Sequence, residues 1–146
     1  MIDDNKIVEL YNKFGIEDDE KLIEEFKKII QSEDVSSLIK SEAYCGIGDV
    51  ISLMAPELGE DLGYKYYKKA LEFNENNLYA RVGICIIYTS YSAPINSILN
   101  EEEYLENLEI LINKYDEIND KGMKANIIQL MKNLIGHRIR VLKKGI

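Results

Sequence analysis

Few residues in this chain have the type and spacing to do chemistry. The single histidine, His137, sits in GHRIR among basic residues, with no carboxylate or cysteine at a spacing that would make a triad or a metal site. Cys45 and Cys85 are the only cysteines, each in an apolar setting at a small-residue position of a helix, which predicts buried thiols and not a disulfide. Gly46 and Gly48 in CGIGDV lack the third glycine, the lysine and the preceding strand of a phosphate loop. The acid runs at 17–20 and 101–103 lack the alternation and turn glycine of a calcium loop, and both fall at helix starts, where acids are expected. The sequence therefore predicts no catalytic residue, no metal, no cofactor and no enzyme activity.

Charge offers more. The 146 residues carry a net charge of −8, unevenly spread. Residues 1–61 hold 16 acids and 6 bases, and residues 101–120 hold 8 acids and 1 base. Residues 121–146 hold 7 bases and no acid. Either the acidic and basic segments neutralise each other, or an acidic surface steers a basic partner. The overall acidity opposes nucleic acid binding, because phosphates would be repelled. No apolar run approaches the ~20 residues of a membrane span. IDDNK after Met1 is not a secretory leader. A cytoplasmic protein with no membrane partner is expected, and its wealth of Ile, Lys, Asn and Glu suggests an AT-rich bacterial coding sequence. The basic end, from Lys121, has the amphipathic pattern of a membrane-surface helix. Its apolar residues are also needed to cap the fold.

These residues must be positioned by helices. Hydrophobic residues make up 46% and only two prolines occur, so long regular elements are expected. Apolar residues recur at helical spacing in seven segments, and no alternating strand pattern appears. Asp3 or Asp4 can cap the first helix, with Ile7, Val8, Leu10, Tyr11 and Phe14 inward and Gly15 ending it. The second covers EDDEKLIEEFKKII. The third, capped by Asp34 or Ser36, runs to about Met54. The fourth spans roughly 60–73, the fifth 78–91, and Ser92-Ala93-Pro94 breaks the chain. Asn100 and Glu103 make a capping box for the sixth, 101–118, with Leu105, Leu108, Leu111, Ile112 and Tyr115 inward. The last reaches about Lys143, with Met123, Ile127, Leu130, Met131, Leu134 and Ile135 buried.

Residues 41–88 resemble the tetratricopeptide repeat. GYKYYKKALEFNENN looks like its second helix and turn, through Gly63, Tyr66-Tyr67, Ala70-Leu71 and Asn76-Asn77. SEAYCGIGDVI looks like its first helix, with Tyr44, Ile47 and Gly48 in place, and LYARVGICIIY repeats that logic with Ile84, Cys85 and Tyr88. Glu75 replaces the usual proline, and Arg81 stands where an aromatic is usual. The resemblance implies one all-α domain, 1–146: an N-terminal helix pair (1–40), repeats (41–120) and a basic capping helix (121–146), with antiparallel helix pairs stacked as a short right-handed superhelix. In that family the first helices line a concave groove. Carried over, its reading positions fall on Glu42, Cys45, Asp49 and Ser52, then on Tyr79, Val82, Ile86 and Thr89. Such a groove would be acidic on one side and apolar-aromatic on the other, unless the N-terminal helix pair covers it. The expectation is a non-catalytic protein-binding module for a partner with a basic contact surface. A small immunity protein against a basic toxin and a chaperone are examples of that class. The alternative is a regulator or sensor holding a peptide or small ligand in the groove.

Overall fold

The computed structural model describes residues 4–90 and 101–144. Among them are seven α-helices and no strand: α1 (Asp4–Tyr11), α2 (Asp19–Gln31), α3 (Ser37–Asp49), α4 (Glu60–Phe73), α5 (Leu78–Ser90), α6 (Glu101–Lys114) and α7 (Lys121–Lys143). The expected all-α fold of about seven helices is therefore observed. The chain divides into two compact units, 1–83 and 84–146. The proposed Asn100 cap and the break at 92–94 lie outside the described residues.

The helix ends follow from short polar side chains. Asp18 accepts a hydrogen bond from the Lys21 amide (3.2 Å) and Ser36 from the Ile39 amide (3.2 Å), each satisfying a donor that the first turn leaves unpaired. Asp120 does the same for the Met123 amide at the start of α7 (3.0 Å). Gly15 (φ 79°) takes the left-handed turn after α1. α3 does not run on to Met54 as a plain α-helix. Val50–Met54 widens into a π-helical turn, with the Ala55 amide donating to the Val50 carbonyl (3.0 Å), before a 3-10 turn at Pro56–Leu58.

In the first unit α3 is central, packing most extensively on α4 and then on α2. The core joins Leu10 of α1, Leu22, Phe26 and Ile29 of α2, and Ile47 and Ile51 of the α3 region, all 1% exposed or less. Tyr11, Phe14 and Phe26 form an aromatic cluster, with Tyr11 stacked on Phe14 at 4.8 Å. Two close approaches require glycine. A Cβ on Gly46 would lie 2.5 Å from the Phe26 ring. The Tyr67 ring of α4 is clamped between Gly48 and Gly83, where a Cβ would come within 2.7 Å and 2.4 Å of it. The absence of a side chain at Gly48 thus makes room for the Tyr67 ring.

The second unit buries Leu108 and Leu111 of α6 against Met123, Ile127 and Leu130 of α7. Tyr88 stacks on Tyr104 (4.6 Å), and the Tyr104 hydroxyl donates to the Leu130 carbonyl (3.3 Å). Three residues expected inward are instead exposed: Val8 (56%), Ile112 (41%) and Ile135 (55%). Each lies beyond the width of the stripe its helix buries, so helical spacing alone placed them on the wrong side. Among the described residues no helix is long and apolar enough to cross a membrane.

Candidate functional site

A cavity in the first unit is walled mainly by helices. α1 contributes Asp4, Ile7, Val8 and Tyr11; α3 contributes Glu42, Cys45 and Asp49; Asn77 comes from the turn before α5 and Tyr79 from its first turn. The cavity has a volume of about 340 Å³, is half open, and has mostly apolar walls. Among the described residues that line it, none is basic.

Asp49 is its fixed point. One carboxylate oxygen accepts the Tyr11 hydroxyl at 2.6 Å and the other accepts the Tyr67 hydroxyl at 2.6 Å. Such short bonds are charge-assisted and roughly twice as strong as neutral ones. They anchor α1 and α4 to one carboxylate on α3. Burial pushes the Asp49 carboxyl up from its usual range, and the two tyrosine bonds oppose that rise. Burial and then the charge of Asp49 push both tyrosines well above the ordinary phenol range, so they stay protonated donors. Burial, followed by the same charge, holds Cys45 as a thiol. The nucleophilic form is therefore suppressed.

Glu42, half-buried on α3, faces Asp4 at the start of α1. Its pKa is pushed up to about 7, first by burial, then by the charge of Asp4 and a hydrogen bond between the two carboxyls. A hydrogen bond between carboxyls needs a proton on one of them. Below about pH 7 Glu42 therefore keeps its proton, which a neighbouring positive charge would displace.

The rim at Asn77 is built by a buried relay. Asn77 caps α5 by accepting from the Ala80 amide (3.1 Å) and donates from Nδ2 to the Ser41 hydroxyl (2.9 Å), which donates to the Ala70 carbonyl (2.7 Å). Arg81 closes the same turn by donating from Nη2 to the Glu75 carbonyl (2.8 Å). This fixes Tyr79, 55% exposed, at the mouth.

Four of the eight residues expected to read a partner, Glu42, Cys45, Asp49 and Tyr79, thus meet at one cavity. Ser52 does not line it: its buried hydroxyl is turned toward α4, where a Cβ on Gly63 would approach it to 2.5 Å. The wider π-helical turn retards the helical phase after Asp49 and rotates Ser52 away. Val82 is buried (6%), because an apolar side chain on this well-packed helix is better covered than outward. Ile86 and Thr89 belong to the second unit. Ile86 is half-buried and Thr89 donates to the carbonyls of its own helix at Cys85 and Ile86 (3.2 Å each). Thr89 lines a second, open cavity of about 710 Å³ in that unit, with Tyr88, Glu101, Lys132, His137 and Arg140. The expected groove residues missed the α1 wall. The sequence reading allowed that the N-terminal helix pair covers these positions, and α1 does lie against Glu42, Cys45 and Asp49, leaving the cavity half open.

Among the described residues no group of three or more His, Cys, Asp or Glu side chains is placed to hold a metal ion. Compared with protein-family models, curated proteins and solved structures, the chain matches none.

Proposed function

We propose that this chain is a non-catalytic protein-binding module whose first unit takes a basic side chain of a partner into the α1–α3 cavity. The observation that carries the reading is a cavity with apolar walls and three carboxyl residues, Asp4, Glu42 and Asp49, with no base among its described lining residues. The stem of a lysine or arginine would pack on Ile7, Val8 and Tyr79, and its charge would meet a preorganised Asp49 and displace the proton of Glu42. A protonated Cys45 and two protonated tyrosines offer binding and no activated nucleophile, in keeping with a role that is not enzymatic. The clamped Tyr67, with the Asn77 relay at the junction of α4 and α5, supports a tetratricopeptide-like reading of residues 41–88. A cytoplasmic immunity protein that neutralises a basic toxin, or a chaperone for a basic partner, would use such a surface. Nucleic acid and membrane are not the partners in this reading.

The cavity volume also lies in the range of small-ligand sites, which favours a peptide or small-ligand sensor as the second reading. A fluorescent lysine- and arginine-rich peptide, titrated against the full chain by anisotropy, separates the outcomes. Binding that weakens with salt and with Glu42→Lys is expected. Equal binding of a neutral peptide would overturn the electrostatic reading, and tight capture of a small uncharged compound would favour the second.

A further inference from the structure

In the second unit, α7 carries two apolar faces where one would suffice for its own packing. Met123, Ile127 and Leu130 are buried. On another side of the helix lie Ile128 (40% exposed), Ile135 (55%), Ile139 (47%) and Leu142 (72%). Ile128, Ile135 and Leu142 are each seven residues apart, and Ile139 falls four after Ile135 and three before Leu142. At 100° per residue all four fall within about 60° of arc. This is the 3–4 alternation of a coiled-coil seam, with exposed Ala125 and Lys132 at the intervening seam positions. From Ile128 to Leu142 it runs about 21 Å along the axis. Four solvent-facing Ile and Leu side chains aligned on one helix face are what a surface without a partner avoids.

The charges around the seam select its occupant. Lys132 interrupts it, and Lys143 and Arg138 flank its two sides; Arg138 also pairs with Glu101 of α6 at 3.7 Å. Residues 121–146 contain 7 bases and no acid, so two copies pairing through this seam would set like charges against each other. A partner helix with an apolar seam and acidic flanks satisfies both features. We propose that the exposed seam of α7 docks an amphipathic helix of another protein whose seam is flanked by Asp and Glu. This surface is independent of the acidic cavity in the first unit and of the function proposed for it.

The test uses the full chain and two labelled helical peptides of about 21 residues, three heptads with the same Ile/Leu seam, one flanked by Glu and one by Lys. The acidic cavity of the first unit attracts the Lys-flanked peptide, so the quantity read is the part of each anisotropy signal lost in the double variant Ile135→Ser, Ile139→Ser. Both side chains are exposed, and circular dichroism and melting of the variant should match the wild type. The expected result is a loss of about tenfold or more in affinity for the Glu-flanked peptide, and none for the Lys-flanked one. Lys132→Glu with Lys143→Glu should reverse the preference. Equal seam-dependent loss for both peptides, or no loss for either, overturns the proposal. So does a dimer that dissociates in the serine variant, which would give the seam to a second copy. Seam-dependent sedimentation with phosphatidylglycerol vesicles and no binding of the Glu-flanked peptide would give it to a lipid surface, and likewise overturns it.

Discussion

Replacing Glu42 by Gln should stabilise the protein at alkaline pH while weakening its grip on a basic peptide. Glu42 titrates at about 7 in the folded chain against an ordinary 4.5, with burial as the leading cause and Asp4 next. A carboxyl raised on folding binds its proton more tightly in the native state than in the unfolded one. Its contribution is therefore most favourable below pH 4.5 and is lost as pH rises through about 7. The full shift would correspond to a ceiling of about 3 kcal/mol. Glu42 is only half-buried, and solvent screening of such a group reduces this to about 1–2 kcal/mol. Glutamine mimics the protonated acid and has nothing to ionise. Urea unfolding at pH 5 should find the two proteins nearly equal, and at pH 8 should find Glu42→Gln more stable by about 1–2 kcal/mol. Asp4→Asn should recover less than half of that gain, because burial remains. A variant less stable than wild type at pH 8, or a difference that does not change with pH, would refute the account of this carboxyl pair. A stabilising change that lowers binding would mark Glu42 as a charge held at a cost in stability.

Tyr67→Phe should cost about 1.5–3 kcal/mol by removing one of the two donors to Asp49, read from urea midpoints, whereas Tyr67→Ala should cost about 3–5 kcal/mol. Gly48→Leu should cost about 1–3 kcal/mol through collision with the Tyr67 ring, and an unchanged melting curve would show that the ring is not clamped there. Asn77→Ala loses both the α5 cap and the bond to Ser41, and should cost about 1–2 kcal/mol in thermal unfolding. Because Glu42 must give up its proton to a bound cation, affinity for a basic peptide should rise up to about tenfold from pH 6 to pH 8, and this dependence should vanish in Glu42→Gln.

The helices were legible because each carries a stripe wide enough to read at 3.6 residues per turn. Ser36 and the acids before α2 marked their own starts. Glu42, Cys45 and Asp49 could be placed together because three- and four-residue steps along one α-helix put them on one face. That logic failed at Ser52, three residues further on, because the π-helical turn breaks the phase and nothing in VISLM announces it. It also could not foresee that Tyr11, 38 residues from Asp49, would supply one of its donors. Long-range partners of a buried carboxylate are set by how helices cross, and a spacing rule within one helix does not contain that. On α7 the sequence showed apolar residues at Ile128, Ile135, Ile139 and Leu142 but could not say that the fold leaves them exposed.

The central claim is that the α1–α3 cavity receives a basic side chain. Amide and methyl chemical shifts of the labelled full chain, followed while a lysine- and arginine-rich peptide is added, test it most directly. The largest saturable changes should fall at Ile7, Val8, Glu42, Asp49 and Tyr79, weakened by salt over a screening length of about 8–10 Å and lost in Glu42→Lys. Saturable changes that avoid these residues, or that persist unchanged in Glu42→Lys, would contradict it.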